Sequence, residues 1–297
     1  MTADERPDPP ETRREGVTET LHDTEIPDPY RWLEGDDEAV REWTERQNEY
    51  ADSHLDTPTR ERLRPRLADL AEVAEYGPIQ VRGGRYFQTV EAPEDDHPRL
   101  FVRESPDSDG TLLVDPNAWP ENDDPDAPTL SMSWVVPDYR GERVAYGVTE
   151  GGDEQYDVHV LSVPDGEEVA VREDCGRVNP GMFAWAPDGE SLYYVATGGA
   201  DEGAQMDKEL RHWRVDGGEE TLLEHDDQHV WPILTTDRET GLLAVGFSEM
   251  VGGVDWHVWV DGDLRPVLGG DAETYVVFHD GTAFLQTDHE APRKRVL

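Results

Sequence analysis

The run Ala184-Trp185-Ala186-Pro187-Asp188-Gly189-Glu190-Ser191-Leu192-Tyr193-Tyr194 carries the clearest structural signal in the chain. Apolar and aromatic residues lie on both sides of Pro187-Asp188-Gly189, and Pro, Asp and Gly are the residues that separate short strands. The run therefore predicts two antiparallel strands joined by a tight turn that ends in Gly189.

The same unit recurs along the chain from about Ile79 onward. The turn glycines are Gly84, Gly141, Gly189, Gly241 and Gly281, at separations of 57, 48, 52 and 40 residues. A third strand is predicted after the turn at 99–102, 157–163, 210–215 and 256–260. Units of about 40–55 residues with three or four strands are typical of β-propeller blades. We expect a mainly β protein with a partial β-propeller over residues 77–297, about four to five blades, truncated in the last blade.

The residues before this repeat have a different pattern. Residues 1–16 are polar and rich in proline, which predicts a disordered tail. Residues 17–76 are predicted to form an amino-terminal helical segment, with a short strand within Val17 to Ile26. Acidic residues at 36–38 favour a helix start, and Thr57 with Pro58 favours a second one, which Pro65 either kinks or restarts. The predicted apolar stripes are Val40, Trp43, Gln47 and Tyr50 in the first helix, and Leu63, Leu67, Leu70 and Ala74 in the second.

The charge balance excludes two classes of partner. The chain has 68 Asp and Glu against 26 Lys and Arg, a net charge of −42, and its only lysines are Lys208 and Lys294. Such a chain repels phosphate backbones and anionic membranes, so no nucleic acid and no membrane partner is expected. An acidic coat with almost no lysine indicates a protein from a salt-loving organism with a saline cytoplasm.

The cysteine and hydropathy patterns point to a cytoplasmic protein. The single cysteine, Cys175, excludes an intrachain disulfide and a cysteine-based zinc site. The first residues contain no apolar segment of the kind a signal peptide has, and no apolar run approaches the ~18 residues that span a bilayer.

Candidate catalytic and metal-binding groups are few. The nucleophile-elbow pattern G-x-S-x-G is absent; its nearest match contains Ser248, which we interpret as a loop residue. His225 and His229 have the spacing of metal ligands on a helix, but their polar context favours a solvated turn. Asp107 and Asp109 resemble part of a calcium loop, and the acidic run at 121–126 is a weak cation candidate. We expect Cys175 to be an ordinary thiol, and we predict no catalytic, cofactor-binding or metal-binding residue and no cofactor.

A second motif carries a family resemblance. Asp28-Pro29-Tyr30-Arg31-Trp32-Leu33-Glu34, followed by Trp43 and Gln47-Asn48, resembles the amino-terminal signature of the prolyl oligopeptidase family of serine peptidases. The later runs that resemble this family, in the family's order, are Arg85-Tyr86-Phe87, Leu113-Val114-Asp115-Pro116-Asn117, Ala145-Tyr146-Gly147, Ala184-Trp185-Ala186-Pro187-Asp188-Gly189 and Asp288-His289-Glu290-Ala291-Pro292. The resemblance covers the chain from about Val17 to Leu297.

The resemblance implies a function for the whole family architecture. In this family a seven-bladed propeller covers the active site and admits only short peptides, and an α/β-hydrolase domain supplies a Ser, Asp, His triad that cleaves after proline. The present chain matches the amino-terminal segment and the first four to five blades, so no triad residue can be assigned to it. Tyr30 and Trp32 are expected to pack against the helices or the propeller and not to act in catalysis.

Three functional hypotheses follow. The first is the propeller portion of a cytosolic prolyl oligopeptidase, which gates short peptides, is inactive alone and works with a hydrolase domain in cis or in trans. The second is a stand-alone propeller that acts as a binding or assembly module and pairs with a separately encoded hydrolase domain. The third, a propeller glycosidase, rests only on the abundance of acidic residues.

We expect the chain to lose structure as salt is removed. At a net charge of −42 the acidic groups repel one another. The Debye length, over which this repulsion acts, is about 30 Å at 0.01 M salt and about 3 Å at 1 M. Far-ultraviolet circular dichroism over a series of KCl concentrations tests this, and NaCl should act alike at equal ionic strength. A spectrum that stays unchanged down to millimolar KCl would contradict the expectation.

Overall fold

The computed structural model describes residues 8–120, 127–198, 207–249, 253–268 and 272–297. The chain divides into two compact units, Met1–Val73 and Ala74–Leu297. The expected domain limits at residues 16 and 76 stay predictions, as does the disordered tail, of which residues 1–7 lie outside the described residues. No helix in the described ranges is long and apolar enough to cross a bilayer.

The first unit begins with a hairpin. Strands β1 (Thr18–Leu21) and β2 (Thr24–Pro27) pair antiparallel. The turn residues His22 and Asp23 both have positive φ, at 49° and 62°. The single short strand expected between 17 and 26 is thus two strands, because this turn reverses the chain.

Two helices follow a short 3₁₀ turn at Arg31–Glu34, and both start where the sequence predicts. Helix α1 (Glu38–Leu55) is capped by Asp37, whose side chain accepts from the Val40 amide at 3.0 Å. Helix α2 (Pro58–Ala71) is capped by Thr57, which accepts from the Arg60 amide at 3.2 Å. Helix α2 continues through Pro65, so no second start occurs there. Neither helix has a buried residue, and the stripe of leucines on α2 is exposed.

The second unit consists of antiparallel sheets that form five propeller blades within the described ranges. Blade 1 contains β3 (Glu75–Tyr76), β4 (Gln80–Arg82), β5 (Arg85–Glu91), β6 (Arg99–Arg103) and β7 (Thr111–Val114). Blade 2 contains β8 (Leu130–Pro137), β9 (Arg143–Glu150), β10 (Asp157–Ser162) and β11 (Glu168–Arg172). Blade 3 contains β12 (Phe183–Trp185), β13 (Ser191–Thr197), β14 (Lys208–Arg214) and β15 (Glu219–His225). Blade 4 contains β16 (Val230–Thr236), β17 (Leu243–Glu249), β18 (Val254–Val260) and β19 (Asp263–Leu268), and blade 5 contains β20 (Thr274–His279), β21 (Thr282–Thr287) and β22 (Arg295–Val296).

This architecture confirms the predicted mainly β fold with a propeller of about four to five blades. Strands pair in chain order within blades 2 to 5, and the first strand of blade 4, β16, contacts the first strands of blades 3 and 5, β12 and β20. The predicted third strands are β6, β10, β14 and β18. All five predicted turn glycines have positive φ, between 66° and 80°.

Aspartates stabilise the turns after the first strands, and two of them, Asp138 and Asp237, are buried. The Asp138 carboxylate is 1% exposed and accepts from the backbone N–H groups of Glu142 and Arg143 at 2.8 and 2.9 Å. Asp188 and Asp237 accept turn amides in the same way in blades 3 and 4. A hydrogen bond from the Thr240 hydroxyl holds the pKa of Asp237 below its usual range.

Apolar clusters fill the spaces between neighbouring blades. Phe87 and Val144 belong to one cluster that joins blades 1 and 2. Leu192 of blade 3 packs in a second cluster with residues of blade 2, and Val245 of blade 4 packs in a third with residues of blade 3. Blade 5 differs, because one of its faces leaves Tyr275, Val277, Phe284 and Val296 between 41% and 64% exposed.

The turn of blade 1 packs tightly against the turn of blade 2, and neighbouring glycines test this contact. A Cβ at Gly83 would lie 1.6 Å from the Arg140 carbonyl oxygen, whereas a Cβ at Gly84 would meet nothing within 4 Å. Both residues have positive φ, at 54° and 80°. G84A therefore adds only backbone strain of about 1–2 kcal/mol, while G83A adds a steric cost of about 1–3 kcal/mol to that strain. Denaturant midpoints at fixed KCl measure the difference, and equal losses in the two variants would refute the tight contact.

Candidate functional site

A polar pocket lies where the blades connect to one another. We call this side of the propeller the connection end, and the side with the glycine turns the turn end. The pocket has a volume of about 290 Å³ and is lined by Glu154, Tyr156, Arg177, Asn179 and Trp231. These residues come from the loop after β9, the connection between blades 2 and 3, and the start of β16.

Hydrogen bonds and one ion pair hold this lining in place. An Arg177 Nη1 lies 3.4 Å from Glu154 Oε2, and the Arg177 amide donates to Thr197 Oγ1 at 2.8 Å. The Asn179 side chain accepts from the Gly181 amide at 2.9 Å. The Arg177 Nε is buried and has no hydrogen-bond partner within the described ranges. The pocket therefore presents a cation, a carboxylate and two aromatic rings to a ligand.

Lys208 packs its ammonium group over the ring of Trp231. The lysine side chain is only 1% exposed, its Nζ lies 4.6 Å from the centre of the Trp231 ring, and it donates to the Asp227 carbonyl oxygen at 3.1 Å. Burial lowers the pKa of Lys208, while Asp227 and Asp207 act in the opposite direction. A desolvated ammonium over an indole face is a favourable cation–π contact, so Lys208 helps to fix the ring at the pocket.

Sequence patterns did not single out these lining residues. Their position in the repeat could have identified two of them. Asn179 lies ten residues before the turn glycine Gly189, and Trp231 lies ten residues before the turn glycine Gly241. That position is the start of a blade, which the fold brings to the connection end. Tyr156 and Arg177 then join them only through the packing of blades 2 and 3.

A second polar cluster joins blades 2 and 3 and encloses the cysteine. Glu219 accepts from the Tyr194 hydroxyl at 2.5 Å, from Arg172 Nε at 3.1 Å and from Arg211 Nη1 at 2.9 Å. The Cys175 thiol donates to the Arg172 carbonyl oxygen at 3.2 Å. Burial raises the pKa of Cys175 to about 12, although Arg172 acts to lower it. The thiol stays protonated at neutral pH and is a poor nucleophile, as the sequence predicts for an ordinary thiol.

None of the other sequence candidates is among the residues that line this pocket in the described ranges. Ser248 lies in β17 and pairs with Trp231 and Val254, so its expected loop position is wrong.

The two candidate histidines are not on a helix. His225 ends β15, and His229 lies in the turn that follows. The Asp227 amide donates to the His225 ring, and the Asp227 carboxylate accepts from the His229 amide. Asp107 lies within the turn in which the Ser108 amide donates to the Ser105 carbonyl oxygen, and Asp109 follows this turn. The acidic run at 121–126 lies outside the described residues.

No cluster of three metal-ligating side chains occurs in the described ranges. The expectation that the chain has no catalytic, cofactor-binding or metal-binding residue remains a prediction.

The aromatic residues of the amino-terminal motif pack within the first unit. The Trp32 indole donates to the Arg13 carbonyl oxygen at 2.9 Å and meets the Trp43 ring edge to face, with 6.4 Å between the centroids. Arg31 pairs with Asp28 and with Glu19, each at 2.5 Å. Trp32 thus has the packing role that the sequence predicts.

Comparison with known proteins adds the family. The family model described as "Prolyl oligopeptidase, N-terminal beta-propeller domain" matches residues 9–297. The prolyl endopeptidase of Elizabethkingia meningoseptica is 24% identical over 97% of this chain and 42% of its own length. An uncharacterized peptidase of Sinorhizobium fredii is 30% identical over 63% of this chain and 24% of its own length.

Solved structures agree with the sequence comparison. A prolyl endopeptidase structure superposes with a TM-score of 0.80 at 26% identity, over 97% of this chain and 43% of that chain. Prolyl oligopeptidase B from Galerina marginata superposes with a TM-score of 0.74 at 16% identity, over 97% of this chain and 45% of that one, a likeness of fold alone. The chain thus spans about two fifths of the length of these relatives. Since the family model matches nearly the whole chain, this protein belongs to the prolyl oligopeptidase family and contains that family's amino-terminal β-propeller domain.

Proposed function

We propose that this chain is the propeller portion of a prolyl oligopeptidase, a serine endopeptidase that cleaves short peptides after proline. In this proposal the propeller controls peptide access, and an α/β-hydrolase domain in cis or in trans supplies the catalytic triad. The observation that carries the proposal is the family match over residues 9–297 together with a span of only 42% of the prolyl endopeptidase relative. The chain alone is inactive in this proposal.

Two exposed apolar surfaces support the proposal that this chain binds a partner domain. Leu63, Leu67 and Leu70 of α2 are 46–62% exposed, and an amphipathic helix is normally stabilised by covering such a stripe. The exposed face of blade 5 is a second such surface, and it lies at the end of the blade series. Contiguous apolar surfaces of this kind mark interaction sites in soluble proteins.

The pocket at the connection end supports a role in handling peptides. The rings of Tyr156 and Trp231 suit apolar or proline side chains, and Arg177 and Glu154 suit the charged or polar groups of a peptide. The pocket therefore has the chemistry to contact a peptide without cleaving it.

The proposal includes a cytoplasmic location in a salt-loving organism. Its support is the net charge of −42 and the single cysteine, Cys175, which is buried and unpaired with another cysteine. Aqueous extraction and fractionation of cells with an antibody to the chain would test the location.

The isolated chain is expected not to hydrolyse a chromogenic peptide with proline before the scissile bond. The reason is that Ser248, the serine nearest to a nucleophile-elbow pattern, lies in a strand and not on a strand-to-helix turn. Activity is measured at a KCl concentration where circular dichroism shows the chain folded. Turnover that persists through repurification and is blocked by a serine-directed inhibitor would contradict the proposed inactivity of the isolated chain.

The exposed stripe of α2 is expected to bind the hydrolase domain. Reading the genome downstream of this coding region in all three frames, and elsewhere for a separate gene, identifies the matching domain with its G-x-S-x-G motif. L67Q should weaken assembly with that domain at least about tenfold, because a buried leucine contributes about 1.5–3 kcal/mol. Recovery of peptidase activity against domain concentration gives the affinity.

V169Q is the matched control for this experiment. Val169 is also exposed, at 43%, but it lies on β11 at the edge of blade 2. Equal assembly by L67Q and the unchanged chain, or an equal loss in V169Q, would show that α2 is not the contact. A genome without any matching hydrolase domain would overturn the partnership itself.

A further inference from the structure

A second cavity lies at the turn end, on the opposite side of the propeller from the polar pocket. It has a volume of about 140 Å³ and is lined by the first strands of blades 2, 3 and 4, by Tyr139 and by Arg82 at the end of β4. An engineered protein cavity of about 150 Å³ binds benzene, so the space suits a group of that size. Arg82 is the only charged side chain in this lining as the described residues give it.

Three carbonyl oxygens around this cavity already accept side-chain hydrogen bonds. The Val136 carbonyl oxygen accepts from Trp185 Nε1 at 2.9 Å, and the Trp185 carbonyl oxygen accepts from Thr236 Oγ1 at 2.7 Å. The Thr236 carbonyl oxygen accepts from the Tyr139 hydroxyl at 2.8 Å. These bonds use the carbonyl groups that would otherwise repel an anion, and they also use the hydroxyl protons of Tyr139 and Thr236.

Arg82 retains donors that a ligand can use. Within the described ranges its guanidinium makes one hydrogen bond, from Nη1 to the Val81 carbonyl oxygen at 2.9 Å, and no ion pair. A guanidinium carries five N–H donors in a planar fork. The side chain is half-buried, so solvent screens its charge less than that of a fully exposed arginine.

The backbone that carries Arg82 is fixed by the packing of two turns. A Cβ at Gly83 would lie 1.6 Å from the Arg140 carbonyl oxygen, and one at Gly141 would lie 2.5 Å from the Arg82 carbonyl oxygen. Arg85 strengthens the contact by donating to the Gly141 carbonyl oxygen at 2.7 Å. The arginine therefore stands on a rigid base beside the cavity.

The nearby carboxylates do not line the cavity. Asp138 and Asp237 adjoin it in sequence, but each carboxylate accepts backbone N–H groups of its own turn. An arginine normally pairs with carboxylate through two parallel hydrogen bonds. In a chain with 68 acidic residues, the acid that would face this arginine is missing from the cavity wall.

We propose that this cavity binds a carboxylate attached to a small apolar group, namely the carboxy-terminal residue of a peptide, with Arg82 as its ion-pair partner. The apolar walls, which include Val136, Phe183 and Leu234, hold the side chain of that residue. The binding needs no hydrolase domain, so it stands or falls separately from the peptidase proposal.

Equilibrium dialysis of the complete 297-residue chain tests the proposal at a KCl concentration where the chain is folded. The probes are the labelled dipeptide acetyl-alanyl-phenylalanine as the free acid, the same dipeptide as the C-terminal amide, and benzoate. We expect the free acid to bind at least tenfold more tightly than the amide. R82Q should lose at least tenfold in affinity for the acid, with an unchanged circular dichroism spectrum.

R214Q is the matched control, because Arg214 is an exposed arginine that pairs with Asp216 outside the cavity. It should bind the acid like the unchanged chain. Binding of the dipeptide acid well above benzoate identifies a peptide carboxy terminus, whereas equal binding identifies small carboxylates in general, and both support a carboxylate site. Equal affinity for acid and amide, equal affinity in R82Q, or no binding of either carboxylate would overturn the proposal.

Discussion

Side-chain donors that reach the backbone of the next blade connect the propeller. The sheets share no backbone ladder with each other in the described ranges, so the carbonyl groups at the first strands need partners from elsewhere. Gln80 donates to the Val135 carbonyl oxygen, Trp185 to that of Val136 and Trp256 to that of Thr274, each at 2.9 Å. The apolar clusters supply most of the hydrophobic stabilisation, but these directional bonds fix the position of each blade. One of these bonds, from Trp185 to Val136, joins two residues that line the cavity beside Arg82.

The same logic explains how so acidic a chain forms a core. Buried carboxylates such as Asp138 are used as turn caps, where backbone N–H groups compensate for the loss of water. Arginines serve between blades: Arg143 donates to the Gly189 carbonyl oxygen, and Arg172 reaches Glu219 of the next blade. Most of the other acidic residues in the described ranges are exposed, where salt screens their repulsion. These two arginines thus connect neighbouring blades.

Local signals in the sequence predict much of this fold. The turn glycines, the third strands, the helix start at the acidic residues 36–38 and the cap at Thr57 depend on residues close together in the chain, and the structure confirms them. The pocket with Tyr156, Arg177 and Trp231 was not predicted, because its residues come from separate blades and meet only through blade packing. The predicted loop position of Ser248 was wrong for a related reason. Pairing with β16 on one side and β18 on the other extends strand β17 through this residue.

Blade 5 shows how the covering of a blade face depends on what packs beside it. Val245 on β17 is fully buried between blades 3 and 4, whereas Val277 and Phe284, which pair on β20 and β21, are 60% and 41% exposed. The opposite face of the same strands carries Thr274 and Thr287, both fully buried. Burial of apolar surface contributes about 25 cal/mol per Å², so covering the exposed face would be favourable. The exposed face of blade 5 is therefore a surface that further packing would stabilise, which supports the partner domain proposed above.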